Sequence, residues 1–490
     1  MSTDEREIEL KFICDPADAP ALLAAAPPGE EDVHDLRSIY YDTDNLALRK
    51  AGLSLRIRES AKGRVQTLKL GSGFSRSEIE TPLADGAGLD LETIGKRLPA
   101  GARDRLQPVF EVRVVRRRRL MRTAEAEIEL ALDEGEIRAG AAVKSICELE
   151  LELKAGLPTA LFDMAESMGR AAPLYRSFDG KAAQGQALLA GLGQAARRSD
   201  KAPVVAAACA AEAFQAIARS ALGQLTANGE LLRAAPTPEA VHQLRVAGRR
   251  LRSAVSVFRA VSGGPEAEAV SAEAAWLAGA CGEARALDVL LADALRPARA
   301  AAPSHGLDDL IGAAESARER AYGRVAAAAA SARYREFVLR AEAWIETGAW
   351  LEGDAEVTAQ PVAAFAHHAL ARRRRKLLKA AGHFRRLDDA GRHVVRIQAK
   401  KLRYAAEAFA PLFDEGEGRR YISRIKRLQD ELGALNDAAE LEALFAELPL
   451  DGAALFAAGR IAGEAAARNA HGRRKAARAY DALETAAPFW

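Results

Sequence analysis

Glu7, Glu9 and Lys11 occupy alternate positions of REIELKF, residues 6–12, with Ile8, Leu10 and Phe12 in the gaps. Side chains two apart in a strand share a face, so this segment has one charged face and one apolar face. The striping returns along the first 155 residues. LSLRIRE (53–59) sets Arg56 and Arg58 against Leu55 and Ile57, and RVQTLKL (64–70) carries Lys69 after a Lys62-Gly63 turn signal. RSEIE (76–80) carries Glu78 and Glu80. VFEVRVVRRRRLM (109–121) carries Arg113 and Arg117, and AEIELALD (126–133) carries Glu129 and Asp133. ICELELELK (146–154) aligns Glu148, Glu150, Glu152 and Lys154 against Leu149, Leu151 and Leu153.

Rows of Arg56, Arg58, Lys69, Arg113 and Arg117 call for a polyanion, because guanidinium forks grip phosphate oxygens in pairs and ammonium groups act as point charges. The carboxylates of Glu7, Glu9, Glu150 and Glu152 would repel that anion unless a hard cation lies between, and Mg²⁺ or Mn²⁺ fits carboxylate, water and phosphate oxygens. On this reading Glu7 and Glu9 hold metal and Lys11 holds phosphate. Phosphoryl transfer to water then needs positioning and charge neutralisation. One carboxylate among Glu78, Glu80, Glu129 and Asp133 could orient the water, and the sequence does not choose among them. No P-loop pattern is present, which argues against a Walker-type nucleotide site.

About eight such strands predict an antiparallel barrel with charged faces inward and apolar faces outward, the latter covered by helices. Helical patterns fall near 17–26, 89–97 and 158–170, the last suited to that covering role. The expected N-terminal domain is therefore α+β: an eight-stranded antiparallel β tunnel with flanking helices, over residues 1–192.

Glu7-x-Glu9-x-Lys11, YYDT (40–43), LRIR (55–58), the LKL strand, ALDEGEI (131–137) and CELELELK (147–154) come in an order that resembles the CYTH superfamily of triphosphate tunnel metalloenzymes, over about residues 3–190. The resemblance implies triphosphate cleavage with Mg²⁺ or Mn²⁺. It assigns metal to Glu7, Glu9 and Glu152 with Glu148 and Glu150 beside them, and phosphate to Lys11, Arg56, Arg58, Lys69, Arg113 and Arg117. Arg116 and Arg119 are the alternatives to Arg113 and Arg117 in the same basic run. RSFDGKAAQG (176–185) resembles a late lysine element of the family and gives Lys181 a phosphate role, although Gln184 stands where a basic residue is common.

Residues 193–203, GQAARRSDKAP, read as a linker, and beyond them alanine becomes abundant and the apolar period shifts to three and four. HQLRVAGRRLRSAVSVF (242–258) matches HVVRIQAKKLRYAAEAF (393–409) without a gap, at a shift of 151. This predicts an all-α domain over 204–490, built of duplicated four-helix bundles at about 204–350 and 355–490. His242, Arg245, Arg249 and Arg252 share one helix face, and His393, Arg396, Lys400 and Arg403 repeat it. Four like charges on one face repel, and two such faces would form a groove for a long polyanion. The run 371–379, with Arg372, Arg375 and Lys379, adds positive charge. These helices and LQDELGALND (428–437) resemble the CHAD domain. The resemblance implies inorganic polyphosphate as ligand and adds Arg285, with Asp288, as an Arg-Asp element.

The net charge of +2 is split, with −4 over 1–200 and +6 over 201–490. Four scattered cysteines without a C-x-x-C pair fit a reducing cytosol, and no apolar run reaches the ~20 residues of a membrane span. The charged N-terminus leads straight into a strand rather than a secretion signal. The expected activity is metal-dependent hydrolysis of inorganic triphosphate to pyrophosphate and phosphate, in a cytoplasmic protein whose helical half binds polyphosphate and could associate with polyphosphate granules. The alternatives are a nucleoside or thiamine triphosphatase, or a non-catalytic polyphosphate-binding scaffold. Nucleic acid is disfavoured because interleaved aromatics are few. The sequence is silent on oligomeric state.

Overall fold

The computed structural model describes residues 3–71, 75–191, 195–199, 204–435, 437–469 and 472–490. Most of the expected linker, and Asn436 of the 428–437 motif, lie outside the described residues. Two compact units are present: residues 1–195 with 331–347, and residues 196–330 with 348–490. The sequence expectation of one continuous helical domain from 204 to 490 therefore needs an exception, because Ala332–Thr347 belongs to the first unit.

The first unit is a closed antiparallel barrel. Its strands are β1 (Thr3–Ile13), β2 (Glu30–Asp42), β3 (Leu53–Ser60), β4 (Gly63–Leu70), β5 (Ser75–Leu83), β6 (Gln107–Arg122), β7 (Ala126–Ala139) and β8 (Ala142–Gly156). The sheet order is β5-β4-β3-β2-β6-β7-β8-β1, and β1 pairs back onto β5 to close it. β3 and β4 form the expected hairpin, with Gly63 at φ 115° where a side chain would be strained. A two-residue strand, β9 (Tyr175–Arg176), adds to the end of β1.

Apolar residues face outward along most of the barrel. Leu10, Phe12, Leu130, Leu132, Leu149 and Leu151 pack beneath helices Ala19–Ala25 and Thr159–Ala171, through Leu22, Leu161, Phe162, Ala165 and Met168. Leu339 and Ala343 of helix Ala332–Thr347 join the same cluster. Leu55, Leu68 and Ile79 pack with Leu48 and Ile94 of two short helices. At one end the interior is also apolar: Leu36, Tyr40, Phe110, Val112, Val114, Ile137 and Ile146 form a plug, with Ala182 and Leu188 of helix Lys181–Leu189 packed on it. Tyr40 stacks on Phe110 at 4.6 Å, and a Cβ at Gly185 would fall 2.2 Å from the Phe110 ring, so this helix needs glycine there.

The second unit is helical. Helix Pro238–Val257 starts at Thr237, whose hydroxyl accepts from the Ala240 N–H, and helix Asp389–Phe409 starts at Asp388, which accepts from the Gly391 N–H. The duplication has a physical centre. Phe214 and Phe365, and Phe258 and Phe409, are each separated by the same 151 residues, and their rings meet in one cluster, with Phe258 4.7 Å from Phe365 and 5.6 Å from Phe214 and Phe409. No described helix is long and apolar enough to cross a membrane.

Candidate functional site

The barrel register converts the striping into a charged interior. Glu9 lies opposite Glu152, Lys11 opposite Glu150, and Ile13 opposite Glu148; across the next ladder Glu152 faces Glu129 and Glu148 faces Asp133. Exposure of the β8 side chains rises from 1% at Glu148 through 13% at Glu150 to 27% at Glu152, so the cavity opens toward Glu152 and is blind toward the apolar plug.

The innermost part is an ion-pair network. Lys181 Nζ lies 2.8 Å from Asp133, 2.6 Å from Glu148 and 2.9 Å from Glu150. Lys11 Nζ reaches the same Glu150 oxygen at 2.9 Å and Glu9 at 3.6 Å. Arg116 forks onto Asp133 through Nε and Nη2, each 2.7 Å, and also reaches Glu150 at 2.7 Å. Gln184 donates to Glu148. Burial opposes every charge here, but the partners win. Asp133, Glu148 and Glu150 hold the Lys181 ammonium well above its usual range, and Glu150 and Glu9 raise Lys11. Lys181 and Arg116 hold the Asp133 carboxyl at about 2, and Lys11, Lys181 and Arg116 hold Glu150 well below the carboxylate range.

Among the described residues, two cations in the same interior have no such support. Arg56 and Arg58 point inward from β3, opposite Tyr40 and Ser38, and the Nε of each is buried without a hydrogen-bond partner. Burial, then repulsion from Arg56 and Arg116, pushes the Arg58 guanidinium down to about 9. Lys69 is held by Glu7 at 3.3 Å and by Glu78, and Glu80 accepts from Thr67 at 3.1 Å. Glu129 accepts from Arg118 at 3.2 Å.

Arg113 and Arg117, expected inside, are on the outer face. Their side chains are 57% and 50% exposed and pair with Glu111 and Glu134, whereas Arg116 is 15% exposed within the network. The cause is the plug. Phe110, Val112 and Val114 share the inward parity with Arg116 and Arg118, so β6 is apolar inside at one end and basic inside at the other. Arg119, the other alternative, donates outward to the Leu23 and Ala26 carbonyls. Arg118 was missed; it forks onto Asp32 at 2.9 Å, and the parity of Arg116 with Asp133 was the available signal. Arg113→Ala and Arg117→Ala are accordingly expected to change folding stability by less than about 1 kcal/mol, as exposed ion pairs do, while Arg116→Ala, which strands the buried Asp133 carboxylate, costs about 3–5 kcal/mol; urea denaturation of the three variants checks this.

The candidate metal ligands split. Glu148 and Glu150 are taken up by Lys181, Lys11 and Arg116, while Glu9, Glu152 and Glu129 stand side by side in register. Burial first, then Glu7 and Glu129, raise the Glu152 carboxyl, with Lys154 at 2.6 Å opposing them. No group of three His, Cys, Asp or Glu side chains among the described residues is drawn together as a ready metal site. The set is nevertheless all-oxygen and crowded with like charge, which suits a hard divalent cation completed by phosphate oxygens.

In the helical unit, the basic faces of the two repeats merge. Arg249 lies near enough to act on both His242 and Lys400. Burial, then Arg285, lowers His242, and burial, then Arg396 and Arg249, pushes the Lys400 amine down to about 8. The Nε atoms of Arg249 and Arg396 are buried without a hydrogen-bond partner. Arg245 donates to the Ala278 carbonyl at 2.5 Å, and Arg403 to Gln429 at 3.0 Å. Arg252, His393, Arg372, Arg375 and Lys379 are exposed. Asp288 is committed elsewhere, accepting from Arg318 at 2.7 Å and from the Tyr322 hydroxyl at 2.8 Å.

Residues 5–184 match the CYTH domain, and residues 216–446 match the CHAD domain. The chain carries a CYTH domain followed by a CHAD domain. An inorganic triphosphatase of Haemophilus influenzae is 31% identical over 198 residues, which cover 37% of this chain. The match spans about half of that relative's length, 55%. The CHAD domain of Ricinus communis is 29% identical, covers 60% of this chain and 98% of its own, and superposes with a TM-score of 0.53. An adenylyl cyclase candidate from Hippeastrum, described as revealing a dominant triphosphatase activity, is 18% identical over 37% of this chain and 95% of that chain, with a TM-score of 0.30.

Proposed function

We propose that the barrel hydrolyses inorganic triphosphate to pyrophosphate and phosphate with Mg²⁺ or Mn²⁺, and that the helical unit binds inorganic polyphosphate. The observation that carries the first part is the pair Arg56 and Arg58. Buried cations are ordinarily paired, and among the described residues these two have no carboxylate partner inside a cavity that otherwise pairs its charges. An oligophosphate supplies the missing charge. Glu7, Glu9 and Glu152 would hold the divalent ion, whose chemistry is to neutralise phosphate oxygens and polarise the scissile phosphorus. Arg56, Arg58, Lys69 and Arg116 grip the phosphates, and Lys11 and Lys181 complete the cradle. Among the four acids considered for orienting water, Asp133 is sealed by Arg116 and Lys181, which favours Glu129, Glu78 or Glu80. The inhibitory or recruiting use of the helical unit would follow from its polyphosphate affinity, which would also bring the chain to polyphosphate deposits.

Phosphate release from triphosphate, long-chain polyphosphate, ATP and thiamine triphosphate, with Glu9→Gln as control and EDTA as the metal-free arm, tests the first part. Rapid release from inorganic triphosphate alone, lost in both controls, supports the reading; preference for ATP or thiamine triphosphate moves the substrate, and no release from any of them leaves a scaffold. For the helical unit the pH dependence is diagnostic. Lys400 is flanked by Arg396, Arg249 and Arg403, with Glu440 opposing. A bound polyanion stabilises its charged form, so binding takes up a proton once the pH passes about 8, and affinity falls between pH 7 and 9.5. Calorimetry in buffers of different ionisation enthalpy should detect that proton, and Lys400→Arg should remove it. Tighter binding of DNA than of polyphosphate at matched salt would replace the proposed ligand.

A further inference from the structure

We propose that Glu342 is a positioning residue of the tunnel, acting through Arg176 on the backbone that presents Lys11 and Lys181; this rests on the tunnel's reading as a triphosphate site. Glu342 belongs to helix Ala332–Thr347, far from the barrel strands in sequence but part of the same compact unit. Its carboxylate accepts from Arg176 Nε at 2.6 Å and Nη2 at 2.8 Å, and the two side chains are 1% and 4% exposed. A bidentate pair this deep holds its geometry, because neither partner can turn to water.

The other end of the same guanidinium touches the site's scaffold. Arg176 Nη1 donates to the Lys11 carbonyl at 2.8 Å and to the Ser177 carbonyl. The Ser177 N–H also donates to the Lys11 carbonyl, at 2.9 Å. The guanidinium stacks 4.5 Å from the Phe178 ring. From Ser177 the chain runs through Asp179 and Gly180 into Lys181, and a Cβ on Gly180 would stand only 3.5 Å from Lys11 Nζ. Lys11 and Lys181 thus enter from two segments stitched by one guanidinium, and both reach the same Glu150 oxygen at 2.9 Å. Without Glu342 the guanidinium is free to recentre on the carbonyls or on water, and the two ammonium groups lose their common setting.

The test uses the full chain. Glu342→Gln keeps the shape but turns an amide N–H toward the guanidinium; Glu336→Gln, on an exposed part of the same helix, is the control. Glu342→Gln is expected to raise the KM for triphosphate about tenfold, as a displaced binding group does, with Glu336→Gln within about twofold of wild type. A loss of folded protein alone would lower the apparent kcat and leave KM unchanged. The double variant Arg176→Met/Glu342→Leu removes both charges, which buried pairs tolerate; its Tm should return to that of wild type while KM stays raised, since Lys11 and Ser177 then have no guanidinium. Wild-type KM in Glu342→Gln or in the double variant overturns the proposal. Should the wild-type protein hydrolyse no triphosphate, the functional reading fails separately, and crystal structures of the two variants decide the positioning: Lys11 and Lys181 still meeting at Glu150 would overturn it, and their separation would support it.

Discussion

Arg58→Met should weaken the proposed triphosphatase activity and make the protein more stable. The wild-type guanidinium is buried with an unpartnered Nε, and burial plus Arg56 and Arg116 lower it to about 9. For a cation, a folded value below the usual guanidinium range means that the folded state binds protons less readily than the unfolded one. Stability therefore rises as pH increases above about 9 toward the ordinary guanidinium range, and below that window the charge is a standing cost. Methionine fills similar volume without it, and about 1–3 kcal/mol of stability at pH 7 is expected, the usual size for an unsatisfied buried polar group. The kcat/KM of the proposed triphosphatase activity is expected to fall about 10²- to 10³-fold, the loss typical of one preorganised charge-stabilising donor. Chemical denaturation and phosphate-release assays on the same preparation check both. A variant that is both less stable and fully active would refute the idea that Arg58 is kept for an anion.

Lys181→Met should do the reverse to stability. Asp133, Glu148 and Glu150 converge on one ammonium, and removing it strands buried carboxylates. Breaking such a buried set costs about 3–5 kcal/mol. The pH dependence distinguishes this from simple loss of packing. Asp133 is held at about 2 against its usual 3.8, so its stabilising contribution is full above 3.8 and is lost as pH falls through about 2. In the variant that depression weakens, so the deficit relative to wild type should shrink as the pH falls from 7 to 3. Urea titrations of both proteins across that range measure it; a deficit independent of pH would assign the loss to packing.

The contrast between these two residues explains which features could be read from the sequence. The alternation of Glu7, Glu9 and Lys11, of Arg56 and Arg58, and of Glu148, Glu150 and Glu152 survives because each strand keeps one chemical character per face, so period two alone places them inside the barrel. The covering helix at 158–170 follows from the apolar outer face and is found at Thr159–Ala171. β6 breaks that logic. Its inward face changes from Phe110, Val112 and Val114 to Arg116 and Arg118, and choosing charge as the inward signal throughout selected Arg113 and Arg117 instead. β2 shows no period-two signal for the same reason: Asp32, His34, Leu36, Ser38 and Tyr40 all face in, Asp32 and His34 polar near the opening, Leu36 and Tyr40 apolar at the plug, with the buried Ser38 between them. The pairing of Arg176 with Glu342 spans 166 residues and has no periodicity to announce it. In the helical half, the 151-residue shift already matched Phe258 with Phe409, and the structure adds why it matters: the matched rings are the joint around which the copies pack.

Helix Ala332–Thr347 also bears on how such a chain can be inherited. Its codons lie inside the stretch that otherwise encodes the helical unit, yet its Leu339, Ala343 and Glu342 complete the barrel's flank. A recombination event that carried away only codons 1–195 would deliver a barrel with bare leucines and an uncompensated Arg176. Genetic exchange between relatives should therefore move the two halves together, or else replace Arg176 and Glu342 in the same lineage.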